Sequence, residues 1–85
     1  MKSERVEIEL HFYEFEALKA NRTISDMCGR YLKSAETRGD YVALDLTIQE
    51  ANDLAGWVAA EANHAKSKKQ SELLNSACDA IEASI

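Results

Sequence analysis

The sequence predicts an α+β fold in which a strand–helix–helix unit occurs twice within one domain. Apolar and polar residues alternate at 6–10 and again at 42–46, and apolar residues at helical spacing follow each of these segments. One offset relates the two copies, since 42 minus 6 and 54 minus 18 both give 36. The 85 residues suffice for a single domain, 1–85, composed of one unit at about 4–39 and a second at about 40–85.

The two alternating segments read VEIEL and VALDL, the pattern of strands that are buried on one face only. Six residues are expected on the buried face: Val6, Ile8, Leu10, Val42, Leu44 and Leu46. A pair of helices after the first strand returns the chain to the end of the sheet that it left. We therefore expect a two-stranded antiparallel ribbon that is packed on one face by three or four helices.

The helix after each strand begins with a capping pattern. Thr47 and Glu50 form a capping box, and His11 and Glu14 occupy the equivalent positions in the first copy with a weaker cap. The predicted helices extend from about residue 12 to 20 in the first unit and from about 48 to 66 in the second.

A second helix is predicted in each unit. In the first, a turn at 21–22 and a cap at Thr23 precede an apolar stripe that continues to Ala35, and the helix ends before Gly39 and Asp40. In the second, Ser67 or Ser71 caps a helix that follows a lysine-rich stretch. The alternative is one unbroken helix from residue 48 almost to the end, because no proline or glycine forces a break there.

The composition restricts the partners and the compartment. The net charge is −5, which disfavours binding to nucleic acid and to anionic membranes. No apolar segment has the ~20 residues of a membrane span, and no signal peptide is recognisable, so we expect a cytoplasmic protein. Cys28 and Cys78 lack CxxC spacing and are interpreted as small buried apolar residues.

No catalytic motif is present in the sequence. His11 and His64 are distant in sequence and have no ligand-spaced neighbours, and no phosphate-binding glycine motif occurs. Carboxylate pairs such as Glu14 and Glu16 are expected to be solvated. We therefore expect neither enzymatic activity nor a cofactor or metal.

The order of elements resembles that of the ribbon-helix-helix repressors, and the segments RTISDMCGRYL and KQSELLNSACDAI are similar to the turn and second helix of that family. The resemblance implies a single-chain pseudodimer in which six outward ribbon side chains would face DNA: Arg5, Glu7, Glu9, Tyr41, Ala43 and Asp45. Three of the six are acidic, which opposes entry between two phosphate backbones. The unequal lengths of the first helices also depart from the family pattern.

The candidate partner-binding residues are the acidic ribbon side chains and neighbouring tyrosines: Glu7, Glu9, Tyr13, Tyr41 and Asp45. In the segment HFYEF we expect Phe12 and Phe15 to pack inward and Tyr13 to be exposed. Trp57 is one position off its apolar stripe and is expected at the edge of the core.

These observations favour a small acidic non-catalytic protein that binds a protein partner with a basic surface, as an inhibitor that blocks nucleic-acid binding. Compact anti-defence inhibitors of phages and mobile elements are similar in size and character. The alternatives are a ribbon-helix-helix-like DNA-binding regulator or antitoxin, and a homo-oligomeric adaptor. The small core and the two free sheet edges predict at least a homodimer.

Overall fold

A computed structural model describes residues 4–85 and confirms the α+β class. A three-stranded antiparallel sheet of order β1-β3-β2 packs against helices. Within 4–85 the elements are β1 (Arg5–His11), α1 (Phe12–Ala20), α2 (Arg22–Leu32), β2 (Glu36–Arg38), β3 (Tyr41–Thr47), α3 (Ile48–Asn63) and α4 (Lys68–Ala83).

The pairing of β1 with β3 has the symmetry that the sequence repeat requires. Ile8 pairs with Leu44, and these two residues are separated by the repeat offset, since 44 minus 8 is 36. Both are fully buried. The predicted buried face is confirmed: five of its six residues are at most 2% exposed, and Val6 is partly buried against the core. The approximate twofold axis therefore passes between Ile8 and Leu44.

The sheet has a third strand, β2, that no pattern in the sequence predicts. Helix α2 ends at Leu32 rather than near Ala35, and residues 36–38 pair with β3 in a hairpin. Gly39 has a φ of 65°, which suits the first position of a two-residue hairpin turn. The prediction of a two-stranded ribbon with two free edges is thus wrong, because β2 covers the outer edge of β3.

Two helix starts are set by side-chain caps. Asn21, not Thr23, caps α2, because its Oδ1 accepts a hydrogen bond from the N–H of Ile24 at 2.9 Å. Ser67 caps α4, its Oγ accepting from the N–H of Gln70 at 3.1 Å, so the alternative of one unbroken helix is wrong. Helix α3 ends at Asn63, three residues before the predicted end.

The first helix of each unit, α1 or α3, begins with an equivalent carboxylate cap. The Thr47 N–H donates to Glu50 at 2.9 Å, and the His11 N–H donates to Glu14 at 2.8 Å. Glu14 is nevertheless only 4% exposed, because α4 packs beside α1 and Ser76 Oγ donates to its second oxygen. The expectation that Glu14 is solvated is therefore wrong.

Five further apolar or aromatic positions were given an environment by the sequence pattern. Phe15 is buried as predicted, whereas Phe12, the first residue of α1, is 51% exposed and does not pack inward. Trp57 is partly buried at the margin of the core, as expected. Cys28 and Cys78 are buried free thiols, and burial raises the pKa of each to about 11.

None of the helices described between residues 4 and 85 combines the length and the apolar character needed to cross a membrane.

Candidate functional site

The sheet face that points away from the core is the candidate functional surface. It is named here the outer sheet face and carries alternate side chains of the three strands: Arg5, Glu7, Glu9, His11, Glu36, Arg38, Tyr41, Ala43, Asp45 and Thr47. Glu7, Glu9 and Asp45 are exposed. The opposite face buries Ile8 and Leu44 in the common core with the helices.

Ion pairs cross this surface between strands. Arg5 Nε lies 2.9 Å from Asp45 Oδ1, and the side chains are 53% and 65% exposed. The same guanidinium donates to the Asp45 carbonyl at 2.9 Å. Arg38 Nη1 lies 2.8 Å from Glu7, and its Nη2 lies 3.6 Å from Glu36. Exposed pairs of this kind contribute roughly 0–1 kcal/mol each.

The Arg38 side chain joins the two outer strands of the sheet. On β3, Arg38 pairs with Tyr41 and Glu7 pairs with Asp45. A line from Arg38 to Glu7 therefore crosses β3 at Ala43, midway between those two partners. Ala43 faces outward and is nevertheless only 5% exposed. A small residue at this position leaves room for the guanidinium. No pattern in the sequence marks β2, so this position of Arg38 has no local sequence signal.

The outer sheet face remains acidic after these pairs are counted. Its carboxylates are Glu7, Glu9, Glu36 and Asp45, against the guanidinium groups of Arg5 and Arg38, which leaves a net charge of −2. Among residues 4–85, Glu9 has no cation within salt-bridge distance. The acidic face predicted from the sequence is therefore present but partly neutralised.

An aromatic cluster forms one end of the surface. The His11 ring packs against two tyrosine rings, with its centroid 5.1 Å from that of Tyr13 and 4.7 Å from that of Tyr41. Tyr13 is 55% exposed and Tyr41 is 44% exposed. The fold thus brings the five predicted residues to one continuous region, with the carboxylates at the centre and the tyrosines at the end.

The grooves outside the outer sheet face are weaker candidates for a functional site. In one of about 300 Å³, the Tyr31 hydroxyl donates to Asp53 at 2.8 Å and accepts from Arg30 at 3.1 Å, so these groups satisfy one another. A shallow groove of about 400 Å³ between α1 and α2 has Phe15 and Lys19 among its lining residues. Within the described part of the chain, no three His, Cys, Asp or Glu side chains converge to form a metal site.

Comparison with known protein families, curated proteins and solved structures finds no match to this chain.

Proposed function

We propose that the protein is a non-catalytic binding module whose outer sheet face binds a basic surface of a partner protein, and that it thereby blocks that surface from nucleic acid. The observation that carries the proposal is the exposure of the outer sheet face within residues 4–85. This face combines a net charge of −2 with the half-exposed Tyr41, and Tyr13 of α1 stacks on His11 at the same end. Aromatic anchors next to complementary charge are typical of protein interfaces.

The ion pairs on the surface are compatible with binding. Glu7 and Asp45 are held by Arg38 and Arg5, but all four side chains are about half exposed or more. A guanidinium or ammonium group of a partner can therefore replace the internal cation at little cost. Glu9 forms no ion pair within residues 4–85, so a cation of the partner can reach it without displacing an internal one from that part of the chain.

Charge reversal tests the proposal with a defined probe. The probe is a capped synthetic peptide in which lysine alternates with threonine over seven residues. We expect the double variant E7K/E9K to weaken binding about tenfold in an NMR titration, because attraction becomes repulsion at two positions. The matched control E72K/D79K changes the net charge equally on exposed positions of α4 and should retain binding.

Two results would overturn the proposal. One is an absence of amide shift changes on the outer sheet face when the peptide is added. The other is an equal loss of affinity in E7K/E9K and in E72K/D79K, which would show that net charge alone determines binding.

Duplex DNA is the second probe, because the resemblance to ribbon-helix-helix repressors would direct the same face to the major groove. We expect no sub-micromolar affinity for random duplex DNA at physiological salt, since Glu7, Glu9 and Asp45 oppose the phosphates. Sub-micromolar binding that falls steeply with added salt would identify a nucleic-acid-binding protein instead.

The homodimer expected from the sequence stays a prediction. Light scattering at micromolar concentration tests it, and a monomer near 9.5 kDa that persists on concentration would remove the adaptor alternative.

A further inference from the structure

The free edge of β1 is the strongest further feature of the sheet. Strand β3 has neighbours on both sides, β1 and β2, whereas β1 pairs with β3 alone among the strands of residues 4–85. The pseudo-twofold axis exchanges β1 with β3. The edge of β1 is therefore the symmetry equivalent of the edge on which β3 receives β2.

The hydrogen bonds identify which backbone groups face this edge. The Phe12 N–H donates to the Asp40 carbonyl at 2.9 Å, and the Ile48 N–H donates to the Glu4 carbonyl at 3.1 Å. In an antiparallel ladder, alternate residues of a strand bond to the same neighbour. The even-numbered residues of β1 therefore bond to β3, and the N–H and carbonyl groups of Glu7 and Glu9 point to the free edge.

The neighbouring edge groups agree with this assignment. The His11 N–H, which follows the same alternation, is already occupied by the Glu14 carboxylate at 2.8 Å. On β3 the odd-numbered residues face β2, and beyond the end of β2 the Asp45 N–H is satisfied by Ser34 Oγ at 3.3 Å. The available stretch of the β1 edge is thus centred on Glu7 and Glu9.

We propose that an extended basic segment of the partner protein adds to the edge of β1 as an antiparallel fourth strand, with Lys or Arg side chains opposite Glu7 and Glu9. The proposal rests on the function proposed above and specifies how the partner is recognised. Strand addition supplies affinity through main-chain hydrogen bonds and specificity through alternate side chains. Antiparallel pairing continues the arrangement of the existing sheet.

The molecule contains a small example of this recognition in β2. That strand adds antiparallel to the edge of β3, and its Arg38 reaches the Glu7 carboxylate at 2.8 Å across the outer sheet face. A partner strand on the free edge of β1 would present its cations to the Glu7 carboxylate and to that of Glu9. The partner segment would therefore extend a pattern of charge that the sheet already uses.

A second copy of the chain is a poor occupant of this edge. Antiparallel self-pairing centred on Ile8 places Glu7 opposite Glu9, and pairing centred on Glu7 or on Glu9 places that residue opposite itself. Like charges directly opposite each other in a sheet are destabilising. The edge thus favours a basic strand over its own copy.

Backbone methylation of the lysine–threonine probe peptide tests the proposal, because it leaves every side chain and charge unchanged. In antiparallel pairing the lysines opposite Glu7 and Glu9 direct their N–H groups toward β1, and the threonines direct theirs away. We expect N-methylation of the lysines to weaken binding about tenfold or more through lost hydrogen bonds and steric conflict. N-methylation of the threonines should leave the affinity within about twofold of the parent peptide.

The outcomes separate this proposal from the proposed function. If the parent peptide binds and E7K/E9K weakens it, but both methylated peptides bind equally well, the function stands and strand addition is overturned. A greater loss on threonine methylation overturns antiparallel pairing. If the parent peptide does not bind at all, the function itself fails.

Hydrogen exchange gives a second measurement on the protein side. Binding of the parent peptide should slow exchange of the Glu7 and Glu9 amides. The Ile8 amide, which already bonds within the sheet, serves as the internal control. Unchanged exchange at Glu7 and Glu9 in the saturated complex would contradict strand addition.

Discussion

The two units of the chain begin alike and then diverge. Each starts with a strand of seven residues, and each first helix starts directly after it, α1 at Phe12 and α3 at Ile48. These two positions differ by the repeat offset of 36. Helix α1 has 9 residues, however, and α3 has 16. The first unit adds the hairpin strand β2, whereas the second ends in the long helix α4.

Equivalent residues consequently have different environments. Glu14 and Glu50 make the same local cap, but Glu14 is buried beneath α4 while Glu50 is partly exposed. The local motif determines where a helix begins. The remote packing of α4 determines whether the capping carboxylate also contributes to the core.

The largest expected effect concerns what the two units share. Ile8 and Leu44 are paired and fully buried at the pseudo-twofold axis. Leu44→Ala and Ile8→Ala should each lower the free energy of unfolding by about 2–4 kcal/mol, a large part of the total for so small a domain. Urea unfolding measures both. A loss below ~0.5 kcal/mol in either variant would contradict the assigned register.

The second-largest expected effect on the free energy of unfolding differs between the two units. Glu14→Ala should cost about 2 kcal/mol, because it removes the acceptor of the His11 N–H and of Ser76 in a buried position. Glu50→Ala should cost about 1 kcal/mol, the usual contribution of a helix cap. Ser76→Ala is the control that removes only the contact with α4. Equal losses in the two glutamate variants, measured by urea unfolding, would show that α4 contributes nothing to this difference.

The buried thiols give a third comparison between the units. Cys28 is 0% exposed and Cys78 is 7% exposed, and burial raises the pKa of both to about 11. At pH 8 only about one thiol in a thousand is then ionised, so thiol-specific labelling of the folded protein should be slow at both, and slower at Cys28. Peptide mass spectrometry distinguishes the two, and fast labelling of either would contradict its burial.

The same shifts predict a pH dependence of stability. A raised folded-state pKa means that the neutral thiol is favoured in the fold. Stability should therefore be unaffected by these groups below about pH 9, the ordinary pKa, and should fall as the pH rises from about 9 to about 11. Urea unfolding across this range measures the loss. Substitution of both cysteines by alanine should remove that part of the decline.

The smallest effect lies on the outer sheet face. Arg38→Ala and Arg5→Ala should each change the free energy of unfolding by less than about 1 kcal/mol, because their ion pairs are exposed. Arg38→Ala should nevertheless increase the affinity for the lysine–threonine peptide, since it frees Glu7 from an internal competitor. A reduced affinity would indicate that Arg38 positions Glu7 for binding rather than competing for it.

The sequence predicts the parts of this fold that are encoded locally. Period-two alternation identifies both long strands, and the Thr47 and Glu50 pair marks the start of α3. Strand β2 has only three residues, all exposed, so no alternation marks it. The burial of Glu14 and the position of Arg38 depend on contacts with residues 62 and 31 positions away in sequence. Such contacts leave no local signal.

The separation in sequence between paired strands also has a consequence for how the chain folds. The β2–β3 hairpin closes a turn of two residues, whereas β1 must meet β3 across two intervening helices. Hairpins form within about 1–10 μs, and contacts between distant segments add a larger entropic barrier. We therefore expect the hairpin and the helices to form first, and the docking of β1 to determine the overall folding rate.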